Sequence, residues 1–249
     1  MKAKHAMFIL LPALLSAPAY ADFFAVKVQL DSWQASADGS FGQTGASSPF
    51  DFRSKNQLSL GMALEHPIPL LPNLAVRYQN LKHSGRAELA QTYALGGQSF
   101  AVGSQLNSTL DVSHLDAILY YELLDNSLFE LDFGAMVKRV HGDAKAHNQA
   151  GLSGEQSIKG SIPMLYTAAR LTLPGTGWQL FAEANGVTSG RHQVRDISAG
   201  LAFQLVDMML MDAGVRLGYR SSKVELDNMQ GVSTNMDYSG VFVGFAVNF

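Results

Sequence analysis

The chain contains no cysteine at all. That excludes thiol catalysis, thiolate metal centres and a disulfide framework. It also lacks any apolar run near the roughly 20 residues that a membrane-spanning helix needs. The longest near the amino end is the ten-residue stretch from Ala6 to Leu15, and Pro12 and Pro18 interrupt that region. Basic charge is scarce: there are 18 Lys and Arg against 21 Asp and Glu, which leaves no basic footprint for a nucleic acid partner. Apolar spacing of three and four, the mark of an amphipathic helix, is missing from stretches such as Glu130 to Lys138.

What is present begins with a secretory pattern. Lys2 and Lys4 precede the short apolar run, and Ala19 and Ala21 are the small residues a signal peptidase reads before Asp22. The expected organisation is a signal peptide over residues 1–21 and a single domain over 22–249. Cleavage removes two lysines, so 16 basic side chains remain against 21 acidic ones and the formal charge becomes −5. The mean hydropathy of +0.05 suits a soluble domain and is equally expected of a transmembrane barrel, in which each lipid-facing residue alternates with a polar lumenal one.

Period-two alternation predicts ten strands. The first, Phe23 to Ser36, sets Phe24, Val26, Val28 and Leu30 against Lys27, Gln29 and Asp31. The second, Ser54 to His66, carries Leu58, Leu60, Met62 and Leu64 outward and Glu65 inward. The third begins near Leu74 and alternates Val76 and Tyr78 with Arg77 and Gln79. The fourth, Val112 to Leu124, opposes Leu115, Ala117, Leu119 and Tyr121 to Asp116, Tyr120 and Glu122. In the fifth, Leu128 to His141, Phe129, Leu131, Phe133, Ala135 and Val137 oppose Glu130, Asp132, Gly134 and Lys138. The sixth, Ile158 to Leu173, places Tyr166, Arg170 and Thr172 inward; the seventh, Trp178 to Val187, does so with Gln179 and Glu183. The eighth turns Asp196 inward and Ile197 outward, and the ninth turns Asp212, Arg216 and Arg220 inward. The tenth runs from Gly240 to Phe249. No Asp, Glu, Lys or Arg falls on the outward set.

Links after the even-numbered strands are short, including His66 to Asn73, Asp125-Asn126, Pro174 to Gly177 and the region around Asp207. Those after the odd-numbered strands read as longer polar loops, at Asp38 to Arg53, Gly85 to Thr109 and Gly142 to Gln156. Val206 to Met211 reads as an interfacial turn. The fold class predicted is all-β, a ten-stranded antiparallel transmembrane β-barrel, with eight or twelve strands if a pair is miscounted.

The last strand places Val241, Val243, Phe245, Val247 and Phe249 on one face and ends on the aromatic residue. In this, and in its leader, the chain resembles the small outer-membrane β-barrels of Gram-negative bacteria, of the porin and OmpW-like kind. The resemblance implies an outer-membrane location, surrounding outer-membrane lipid, and passage through periplasmic chaperones to the barrel-assembly machinery. It further implies that Val243, Phe245, Val247 and Phe249 form the assembly signal.

Catalytic patterns are thin. None of the seven histidines has a Ser two positions later, the His-x-Ser spacing that lipid-cleaving outer-membrane barrels use. His114 with Asp116, and His141 with Asp143, have the same-face spacing of a water-activating pair of the kind omptin-like proteases use. His141 and His147 flank Asp143 in a weak metal constellation, and Gly96-Gly97 lacks a phosphate-cradling context. No enzyme activity, cofactor or metal is expected. The inward charges Lys27, Glu65, Arg77, Asp116, Glu122, Glu130, Asp132, Lys138, Arg170, Glu183, Arg216 and Arg220 are expected to pair into a lumenal plug with Tyr120, Tyr166 and Phe242. The predicted role is structural or interactive, with at most a narrow solute path; the rivals are a narrow porin and a barrel hydrolase.

Overall fold

Alternation that survives along almost the whole chain can be satisfied only by extended backbone, and the computed structural model is all strand. It describes residues 24–189, 192–208 and 211–249; the expected leader with Ala19 and Ala21 lies outside these. Its strands are β1 (Ala25–Gln43), β2 (Ala46–Pro49), β3 (Asp51–Phe52), β4 (Lys55–Glu65), β5 (Asn73–Gln79), β6 (Lys82–Glu88), β7 (Tyr93–Leu95), β8 (Gln98–Phe100), β9 (Gln105–Asp111), β10 (His114–Asp125), β11 (Phe129–Asn148), β12 (Ser153–Thr172), β13 (Trp178–Ser189), β14 (His192–Met208), β15 (Met211–Met229) and β16 (Val232–Asn248).

Ten of these close an antiparallel barrel. β4 and β5 lead to β10 on one side, β1 joins β4 to β16, and the meander β16 through β11 returns to β10. Closure removes every sheet edge from the lipid zone, which is the condition for a sheet to span a bilayer. The ends of the chain meet at the last rung, where Val26 and Phe249 exchange backbone hydrogen bonds of 3.0 and 2.9 Å.

All ten registers predicted from alternation place their apolar side chains outside. Leu30, Leu58, Leu60, Met62, Tyr78, Leu119, Phe133, Leu165, Leu201, Leu217, Val243 and Phe245 are exposed on the barrel wall. On β11 this belt spans Phe129 to Val137, nine residues, or about 26 Å before tilt. Nine residues are at the lower end of the roughly 9–11 that a tilted strand needs to cross a bilayer.

The segments read as polar loops are mostly strand, which corrects the sequence reading. β1 continues to Gln43, β11 reaches Asn148, β12 starts at Ser153, and β6 and β9 pair inside the expected Gly85 to Thr109 loop. The physical reason is an inversion of polarity. Above the belt the alternation persists but its sign reverses: Val140, Ala144 and Ala146 of β11 point inward, whereas Arg139, His141, Asp143 and Lys145 face out. Outside lipid, the wall of a barrel turns its polar face to water and its apolar face inward. The Val206 to Met211 turn is also shorter than expected, since Val206 to Met208 pair in the ladder with Met211 to Ala213; the two residues between lie outside the described set.

Candidate functional site in the barrel lumen

The lumen has three zones. In the upper half of the membrane zone, Lys138 Nζ lies 3.0 and 3.1 Å from the two carboxylate oxygens of Asp116, with both side chains almost fully buried. Arg220 holds Asp196 through Nε at 2.8 Å and Nη2 at 2.6 Å, and donates from Nη1 to Gln79 at 2.6 Å. Its guanidinium lies 4.8 Å from the ring centre of Trp33, whose indole donates to the Gly240 carbonyl. One layer below, Arg77 forks onto Glu183 at 2.7 and 3.0 Å, and Asn185 donates to the same carboxylate. Arg216 sits 4.3 Å over Phe181, 5.5 Å from Phe242 and 3.8 Å from Asp31. Planar guanidiniums used as bidentate clamps and ring covers suit a buried site better than Lys would.

Above these layers the inverted strands pack an apolar cap. Phe41, Phe50, Phe52, Tyr93 and Phe100 form a continuous aromatic stack, with Phe41 and Phe50 at 4.8 Å and Phe50 and Tyr93 at 5.5 Å. Tyr93, Leu95 and Phe100 come from the β7–β8 hairpin, which folds into the mouth. Its turn is Gly96-Gly97, both at positive φ, as a two-residue hairpin turn requires. The expected glycine motif is therefore a fold feature. Burial pushes the Tyr93 phenol up, and its hydroxyl has no partner among the described residues.

Below the ion pairs, toward the chain termini, the lumen widens into a cavity of about 210 Å³. There Glu65 takes a hydrogen bond from Tyr120 and an ion pair from Lys27, both at 2.7 Å, and Arg170 bonds Glu130 at 2.8 Å. Asp132, which lines the same space, and the more exposed Glu122 make no ion pair among the described residues. The lumen charges foreseen from alternation thus divide into a sealed layer and a half-open vestibule. Sequence reasoning missed the cap, although the switch from apolar-out to polar-out at Val137 and Arg139 is readable in the chain.

The catalytic candidates are dispersed. His114 and Asp116 share the inward face, but the imidazole Nδ1 bonds the Val112 carbonyl at 2.9 Å and the carboxylate is held by Lys138. His141 and Asp143 face outward on β11, and Asp143 lies 3.5 Å from Lys145. His141 and His147 are six residues apart on an extended strand, about 20 Å, too far to share a metal. Among the described residues no three of His, Asp and Glu converge as ligands.

A closed, even-stranded meander with an apolar outside, a charged inside and short turns at the terminus end defines an integral outer-membrane β-barrel. No known protein family matches the sequence, and no curated protein does. Solved barrels are similar in outline. The outer membrane protease OmpT of Escherichia coli is 8% identical, with 90% of this chain and 96% of that one covered and a TM-score of 0.47. Ail, the attachment invasion locus protein of Yersinia pestis, is 11% identical, covering 92% and 100% with a TM-score of 0.38. Neisserial surface protein A is 14% identical, covering 92% and 99% with a TM-score of 0.32. Assignment to the class rests on this chain's own ladder and belt.

Proposed function

We propose that the protein is a closed-lumen barrel with a structural or interaction role and no catalytic activity, presenting its inverted upper strands to the outside. The observation that carries this reading is the two-layer seal. Paired charges at Lys138–Asp116 and Arg220–Asp196 lie under an apolar cap centred on Phe41, Phe50 and Tyr93. A conducting pore needs a continuous wet path, and a buried ion pair beneath packed aromatic rings offers none. The non-enzymatic part of the proposal draws on Asp116, whose carboxylate is taken up by Lys138 and not by the neighbouring His114. His114 is thereby left without the carboxylate partner that a water-activating pair needs. Assembly through the terminal Val243, Phe245, Val247 and Phe249, handled by periplasmic chaperones and the assembly machinery, is part of the same proposal.

Planar-bilayer recording tests it. The purified protein should give no stable single-channel steps, whereas removal of residues 91–102, the β7–β8 hairpin and its flanks, should produce irregular openings. Regular steps from the intact protein would replace this reading with a narrow porin.

A further inference from the structure

The outer wall carries a cationic group that no interaction within the chain explains. Arg139 and His141 of β11 and Lys159 of β12 are exposed and face outward, just above the apolar belt. Lys159 stands directly opposite His141, and Arg139 lies two rungs below, opposite Ser161. Among the described residues neither Arg139 nor Lys159 has a carboxylate within ion-pairing distance. The carboxylates higher on the same wall are already used: Asp143 and Glu155 flank Lys145, and Asp111 faces Lys82.

A second observation falls at the same place. β12 stays paired to β11 as far as Ser153, but its pairing with β13 ends at Leu165 and Gly186. From Ser153 to Met164 the other edge of β12 has no backbone partner among the described residues. Alternate N–H groups beside Lys159 therefore have no partner strand among the described residues.

Height decides what fills it. Val137 and Leu165 are the last apolar outward residues of β11 and β12, and Arg139 is two residues beyond Val137, about 7 Å along the strand. That is the level of the headgroups next to the hydrocarbon. We propose that Arg139 and Lys159, with His141 beside them and the free N–H groups of β12, bind the phosphate of an outer-leaflet lipid. Guanidinium and ammonium groups with backbone N–H donors are the ordinary set for phosphate oxygens.

The test uses the full-length protein in vesicles of phosphatidylglycerol or phosphatidylcholine, reading the temperature at which the compact gel form is lost and the lipid retained after detergent extraction. The wild type should unfold several degrees higher in phosphatidylglycerol and retain that lipid selectively. Because each basic residue near a charged surface matters by roughly a factor of five, Arg139→Gln with Lys159→Gln should cut selective retention on the order of tenfold or more. Arg86→Gln, an outward cation higher on β6, should leave it unchanged. Both sets of residues are exposed, so the variants fold, and compact migration in phosphatidylcholine checks this. Equal selectivity in wild type and double variant would overturn the proposal. So would inorganic phosphate added to phosphatidylcholine vesicles if it reproduced the stabilisation, since the site would then take a free anion and not a lipid.

Discussion

Lys138 and Asp116 lie on adjacent strands, directly opposite one another, with the ammonium bridging both carboxylate oxygens inside the barrel. A buried pair of this kind contributes little net stability relative to apolar residues of the same size, yet breaking it is costly because one charge is left uncompensated. Lys138→Met is therefore expected to destabilise the barrel by about 3–5 kcal/mol. The double variant Lys138→Met, Asp116→Leu should recover most of the loss. Urea unfolding in vesicles reads both. If the single variant is as stable as wild type, the pair does not close the lumen in the manner described.

The two faces of β11 give a sharper contrast. Leu131 and Asp132 are adjacent, one in the lipid belt and the other beside the vestibule. Leu131→Arg should cost about 2–4 kcal/mol and lower membrane yield, as an exposed cation in lipid does. Asp132→Ala removes a carboxylate that makes no ion pair among the described residues and should leave yield near normal. Similar yields for both would mean that the register of this strand is wrong.

These pairs also mark what the sequence could carry. The outward row Phe129 to Val137 is legible because lipid forbids charge on that face, so alternation fixes the register strand by strand. Partner identity is not local: Arg77 and Glu183 are 106 residues apart, and only the closed ladder brings them together. The strand extensions beyond Arg139 were hidden for another reason. Their outward Asp143, Lys145 and His147 with Gly142 look like loop composition, while the inward Val140, Ala144 and Ala146 look too weakly apolar to be a core until β6, β9 and the β7–β8 hairpin pack over them. The vestibule charges Lys27, Glu65 and Arg170 sat in the predicted inward set, but that set could not distinguish them from the sealed layer.

A pH dependence is expected in the cap. His83 of β6 is buried, donates from Nε2 to the Ala35 carbonyl at 3.1 Å, and packs 5.4 Å from the Tyr238 ring. Burial, helped by the Lys55 charge, holds its pKa below the ordinary value of 6.5. The folded state thus prefers the neutral ring, and the unfolded chain binds the proton first as pH falls. The stability of the upper strands should be full above about pH 6.5 and decline below it. Protease sensitivity of the outer strands, measured from pH 7.5 to 5, should rise on acidification in the wild type and stay flatter in His83→Gln. The same slope in both would remove His83 as the cause.

The last expectation concerns the final residue. Phe249 exchanges two backbone hydrogen bonds with Val26, and Asn248 pairs with both Lys27 and Asp212, so the end of β16 is tied to its neighbours on each side. A chain terminus with no such ties is ordinarily frayed and tolerant of loss; here, losing the last residue opens the rung that closes the cylinder. The exposed Phe249 side chain, by contrast, makes no packing contribution to the interior. Two causes can therefore be separated. On the proposed assembly reading, Phe249→Ala, which keeps the backbone bonds, should lower outer-membrane levels in cells, with protein accumulating in the periplasm or being degraded. It should refold from urea into vesicles as well as wild type. Deleting Phe249 should lower insertion in cells and also weaken the purified barrel, because the closing hydrogen bonds go with it. Normal outer-membrane levels for Phe249→Ala, judged by fractionation and surface proteolysis, would leave the residue a role in closing the sheet and none in directing assembly.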